Sequence, residues 1–286
     1  MSRALQRGEV ALDATGKGTA PVETLAPPNA DFFRRPLAPM LTALGVAVLV
    51  VLAISFARAN GLVAALWGAG GLAMAVWLRG GRGLQYDLGF GVLLLAGVFA
   101  GEILAGNGPS LSILFTLTNL LEIVLAVVLT RRVVTGLHVD SVQGLARFLA
   151  VCAIAPLPSA LIAAVALFNM ADQNFLDALR IWWSGHALGF AVIGVFGLSL
   201  RKTHLRMLKQ PARLAEAIGL GVLLASACYA IFSHMSLPYG FLLLPLIVLA
   251  AVRFRVIGAA WALLVVSVVA IGGTMAGHGP YHQFDP

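Results

Sequence analysis

Few side chains in this sequence are equipped for chemistry, and the most telling of them stand inside apolar runs. Glu122 is the sharpest, because Thr118 and Asn119 precede it by about one helical turn and share its face. A carboxylate at mid-bilayer costs about 2.5–3.5 kcal/mol on insertion scales, so Glu122 is expected to face the bundle interior, protonated or paired. It either senses a ligand or proton, or fixes packing by an interhelical hydrogen bond. His186 lies in a later apolar run beside Gly185, with Trp182 and Trp183 one turn away. At that depth it could meet Glu122 and titrate near neutrality. Its alternatives are a satisfied core histidine or a haem or metal ligand, and a lone histidine is a poor ligand set.

Glu102, beside Gly101, stands toward the end of another apolar run, and an ion pair with Arg180 is expected there. Such a pair either lines a ligand entrance or is a solvated interfacial bridge, and the second reading is favoured. Trp182, Trp183 and Trp261 are candidate pocket walls, although membrane tryptophans are usually interfacial anchors. The candidate ligand-binding set is therefore Glu122, His186, Asn119, Glu102, Trp182, Trp183, Arg180 and Trp67. His234, His278 and His282 fall in loops without recognisable metal spacing. With no nucleophile elbow, phosphate loop, HExxH or paired-aspartate motif, neither catalysis, metal nor cofactor is expected of this chain.

The elements that hold these residues follow from composition. The chain has 286 residues, of which 60% are hydrophobic and 11% charged. Soluble domains carry about 25% charged residues. Apolar runs of spanning length recur from about residue 37 to 275, which makes an all-α, polytopic transmembrane bundle of about nine spans (eight to ten). They are expected near 38–57, 62–78, 87–105, 111–130, 143–168, 176–199, 214–233, 238–252 and 256–275. Pro156 and Pro158 should kink the fifth, and Pro245 should break or tilt the short eighth. Residues 1–35 lack periodicity and read as a disordered cytoplasmic tail ahead of a membrane domain at 36–286. Gly97 with Gly101, and Gly185 with Gly189, form GxxxG spacings that let helix backbones approach closely. Cys152 and Cys228 lie in spans, as buried thiols do.

Sidedness comes from the basic residues. With the N-terminus cytoplasmic, all but Arg58 and Arg180 of the 19 Lys and Arg fall on the cytoplasmic side. The same rule places Arg253 and Arg255 in a turn between two spans. The net charge of +7 is thus an orientation signal, and nucleic acid is not expected as a partner. Nine spans leave residues 276–286 outside, where a tenth helix could follow, so the sequence reads as a fragment of a longer protein.

Three segments carry a resemblance. LLPLIVLAAVRFRVIGAA (243–260) followed by GGTMAGHGPY (272–281), NLLEIVLAVVLTRRV (119–133) and WWSGHALG (182–189) resemble the membrane-associated sensor domain of the first type, with a weaker match around Trp67, Gly70 and Leu72. His186 stands where that family usually has Asp. The resemblance implies the N-terminal membrane part of a bacterial histidine kinase, diguanylate cyclase or related protein, multi-pass in the inner membrane and dimeric at full length.

Three functions compete. The chain is expected to be a sensor that binds a small ligand or partner from the outer or membrane side and regulates a cytoplasmic output. A secondary transporter working through an intramembrane carboxylate is the second, weakened by the lack of a visible internal repeat. The third is a scaffold that binds another membrane protein.

Overall fold

The computed structural model describes residues 37–59, 66–234 and 239–275, all of whose regular elements are helical. The expected tail over residues 1–35, and His278 and His282, lie outside the described residues, as does the side chain of His234. Helices are what an apolar chain must form in lipid, because every backbone N–H and C=O has to be satisfied within the segment.

The elements in order are α1 (Leu37–Ala59), α2 (Gly68–Gly80), α3 (Leu84–Leu104), α4 (Pro109–Val133), α5 (Val142–Ile154) and α6 (Leu157–Ala171). They continue with α7 (Phe175–Gly189), α8 (Val195–Ser199), α9 (Lys202–Met207), α10 (Pro211–His234) and α11 (Leu244–Met275). Their ends are written in local chemistry. Pro109 supplies a fixed φ at the start of α4, where a missing N–H costs nothing. Ser141 caps α5 by accepting from Gly144 N, and Asn174 caps α7 by accepting from Leu176 N and Asp177 N. Pro156 separates α5 from α6, as expected, and a π-helical turn over Phe190–Gly194 joins α7 to α8.

Among the described residues seven stretches are long and apolar enough to cross a membrane. The expected segment order holds, with two adjustments. The described α2 is 13 residues long, about 20 Å, shorter than a full crossing. The last stretch, Tyr239–Gly273, has 35 residues and would reach about 50 Å if straight, against about 30 Å of hydrocarbon. It turns back on itself at Arg255 (φ 61, ψ −147). The reversal is tight: a Cβ on Gly258 would lie 2.1 Å from the carbonyl oxygen of Ala250, which a straight helix holds about 12 Å away. The first arm runs antiparallel to α10, with Leu249 by Leu220 and Leu223, and Arg253 bonded to Glu216. The second arm runs parallel to α10, with Trp261 against Gly221 and Phe232 against Gly273. The turn expected around Arg253 and Arg255 is therefore present.

Both GxxxG pairs are close-packing sites. A Cβ on Gly97 would lie 2.5 Å from Ala43 O, and one on Gly101 would meet Val50, so α1 crosses α3 backbone to backbone. A Cβ on Gly189 would lie 2.0 Å from Trp67 O, and one on Gly71 2.3 Å from Gly189 O, which seats the start of α2 on α7. A core of Met74, Phe90, Leu94, Ile123, Phe148 and Phe190 ties α2–α5 and the π turn together.

The bundle ends differ in chemistry. At one end Arg131 donates to both oxygens of Asp87 at 2.9 Å and to Gly81 O, while Trp77 Nε1 donates to Asp87 Oδ1. At the same end Arg79 donates to the carbonyls of Gly197, Leu198 and Leu200, and Arg201 pairs with Asp140. These arginines come from separate expected loops, and the fold gathers them on one side.

Candidate functional site

Glu122 sits mid-way along α4 and is 0% exposed. Glycine at position 70 lets α2 pass over it: a Cβ there would come 3.6 Å from Glu122 Oε1 and 3.1 Å from the Phe190 ring. Both carboxylate oxygens are engaged. Oε1 lies 2.6 Å from His186 Nδ1, and Oε2 accepts a hydrogen bond from Ser159 Oγ on α6. The carboxylate thus joins three helices through hydrogen bonds, which offsets the cost of burying it. Ser159 Oγ also reaches Pro156 O at 2.9 Å, a carbonyl that the backbone N–H of Ala160 shares.

His186 is 4% exposed and carries two indoles on its ring. Trp182, one turn earlier on α7, stacks at 4.5 Å between centroids, and Trp67, from the entry to α2, stacks at 5.1 Å with planes 6° apart. Phe115 of α4 packs tilted against Trp182. The Trp67 placement follows from the glycines of α7, since Trp67 N donates to Gly185 O at 3.1 Å across the crossing that Gly189 permits. With Nδ1 committed to Glu122, the ring's remaining polar atom is Nε2. The indole N–H groups of Trp67 and Trp182 are buried and have no partner among the described residues.

These aromatics form the inner wall of a cavity of about 170 Å³. Ile54, Ala57 and Leu167 add apolar lining, and Arg58, Glu102, Asn107 and Gln173 stand around it as the polar part. Arg58 and Gln173 are exposed, which puts the mouth at the arginine-poor end of the bundle. Glu102 is 1% exposed, and one of its oxygens accepts from the Asn107 amide. Arg58 in turn donates to Asn107 Oδ1 and to Ala105 O, so a guanidinium and a carboxylate flank one asparagine.

The structure thus brings Glu122, His186, Trp67, Trp182 and Glu102 to one place. It parts from expectation at three others. The expected ion pair of Glu102 with Arg180 is absent: Arg180 is exposed on α7, and Arg58 at the end of α1 takes the position near Glu102. Trp183 faces away from the cavity lining and donates from Nε1 to Ala153 O at 2.7 Å, because adjacent helical residues point about 100° apart. Asn119 is buried but spends its amide on Phe115 O of its own helix at 2.8 Å, so it does not contact Glu122 through that group. Sequence reasoning missed Ser159, Arg58 and Asn107. Ser159 carried a usable signal, a hydroxyl inside an apolar span just after a proline; the other two meet Glu102 through loop geometry.

A family model described as MASE1 matches residues 36–285. No curated protein and no solved structure matches the chain.

Proposed function

The chain belongs to the MASE1 family of membrane-associated sensor domains, and from that premise we propose that the aromatic cavity is the receiving site of a multi-pass membrane sensor. The observation that carries this reading is the buried Glu122–His186 pair standing directly behind a cavity wall. A buried acid–base pair whose other ring nitrogen can answer a ligand couples occupancy to helix packing. The ligand enters from the outer side, because the mouth lies opposite the arginine-rich, cytoplasmic end.

Transmission needs an element with two arrangements that a ligand binds unequally. The run from α7 through the π turn into α8 is suited to that role. Its start carries Trp182 and His186, its middle is a π-helical turn of the kind common at functional sites, and its end is held by Arg79 and followed by the Arg201–Asp140 pair. A ligand that shifts His186 turns α7, and the movement arrives among the cytoplasmic arginines. From there it controls a signalling output of the histidine kinase or cyclic-di-GMP type.

The test is native mass spectrometry of the protein released from membranes, run on the parent chain and on Trp182→Ala and His186→Leu. A small molecule retained by the parent and lost from both variants is the expected result. Retention by the parent and both variants alike would overturn the assignment of this cavity. Ligand uptake into sealed vesicles that disappears with Glu122→Gln would replace sensing by transport.

A further inference from the structure

We propose that the cavity selects a small zwitterion with an apolar body, an α-amino acid with an aromatic or branched side chain. This rests on the reading of the cavity as a ligand site and adds the chemical class.

The division of the lining sets the class. At the mouth are one cation and one anion, Arg58 and Glu102, held apart by Asn107. Asn107 occupies one oxygen of Glu102 through its amide and one guanidinium N–H of Arg58 through its carbonyl. Glu102 retains its other carboxylate oxygen, and Arg58 carries five N–H donors of which two are accounted for by Asn107 and Ala105 among the described residues. An ammonium facing Glu102 and a carboxylate facing Arg58 use those remaining sites together. A simple anion would approach the carboxylate of Glu102 without compensation, and a simple cation would approach the guanidinium of Arg58 without compensation.

The inner part sets the body. It is walled by Trp67, Trp182, Phe115, Ile54 and Leu167 with the His186 ring, and among the described residues no Lys, Arg, Asp or Glu lines this inner part. The cavity as a whole, mouth included, measures about 170 Å³, close to an engineered apolar cavity of about 150 Å³ that takes up benzene. A benzyl or isobutyl group fits that space, and a charged or longer side chain does not. The head group stays at the mouth, where Arg58 and Gln173 are exposed.

The experiment uses the full chain in lipid nanodiscs and three probes of one shape: phenylalanine, 3-phenylpropanoate and 2-phenylethylamine. Affinities are read by calorimetry. Phenylalanine should bind at least about tenfold more tightly than either mono-charged probe. Glu102→Gln should weaken phenylalanine and 2-phenylethylamine and leave 3-phenylpropanoate unchanged or tighter. Arg58→Gln should show the mirror pattern, a double dissociation that a merely misfolded variant cannot produce. Equal binding of the three probes, binding of none, or parallel loss of all three in both variants overturns the zwitterion. A co-purified molecule with a single charge overturns it too, while leaving the cavity's role as a ligand site intact.

Discussion

Replacing Glu122 and His186 by alanine, singly and together, should reveal one strong pairwise energy. The contact spans 2.6 Å between two side chains that are 0% and 4% exposed. Hydrogen bonds to charged groups contribute about 1.5–3 kcal/mol in water-soluble proteins. Polar pairs between membrane helices average about 0.6 kcal/mol and reach about 1.7, because partners are also available to the unfolded chain in the bilayer. Full burial at both ends, with both Glu122 oxygens engaged, places this pair at the top of the membrane range, about 1.5 kcal/mol. The single changes are unequal. Glu122→Ala strands the Nδ1 group of His186, whereas Ser159 keeps Pro156 O as a partner. His186→Ala also removes the stacking on Trp67 and Trp182. Subtracting the singles from the double removes those terms and leaves the coupling. Equilibrium unfolding in mixed micelles of rising denaturing-detergent fraction, followed by circular dichroism, measures it. A coupling below about 0.5 kcal/mol would refute the claim that the histidine holds the carboxylate.

Further outcomes follow from the same geometry. Gly189→Ala pushes a methyl to within 2.0 Å of Trp67 O and should cost about 1–3 kcal/mol while displacing Trp67, whereas Gly219→Ala, with nothing within 4 Å, should be neutral or stabilise its helix by up to about 1 kcal/mol; the same unfolding assay separates them. Asp87→Ala takes the shared carboxylate from Arg131 and Trp77 in a partly buried network and should cost about 1–3 kcal/mol, against less than about 1 kcal/mol for Asp140→Ala at its exposed pair. His204 is held below its ordinary value of 6.5 by burial first, then by Arg201, and its Nδ1 must stay unprotonated to accept from Arg201 N. The folded state therefore prefers the neutral ring, and the stability this gives α9 is present at neutral pH and lost as pH falls below 6.5; a nitrogen NMR titration of His204 with its midpoint above 6.5 would contradict this.

Much of this protein was legible in its sequence because the bilayer simplifies the problem. Hydropathy and span length determined the class and the order of the helices, since only closed hydrogen-bonded segments survive in lipid. Glu122 and His186 stood out for the same reason: a polar group in oil needs a partner, and each was the most conspicuous candidate for the other. The GxxxG spacings marked the α1–α3 and α2–α7 crossings because they report a local helix face. Tertiary structure decided what the spacings could not. Whether Glu102 meets Arg180 or Arg58 depends on how α1 and the α3–α4 loop converge at the mouth. Whether Trp182 or Trp183 walls the cavity depends on the rotation of α7, which Gly185 and Gly189 set through contacts with Trp67 on another helix. The cavity itself is a property of at least five elements at once. Periodicity fixes the face on which a side chain lies; only packing fixes what that face meets.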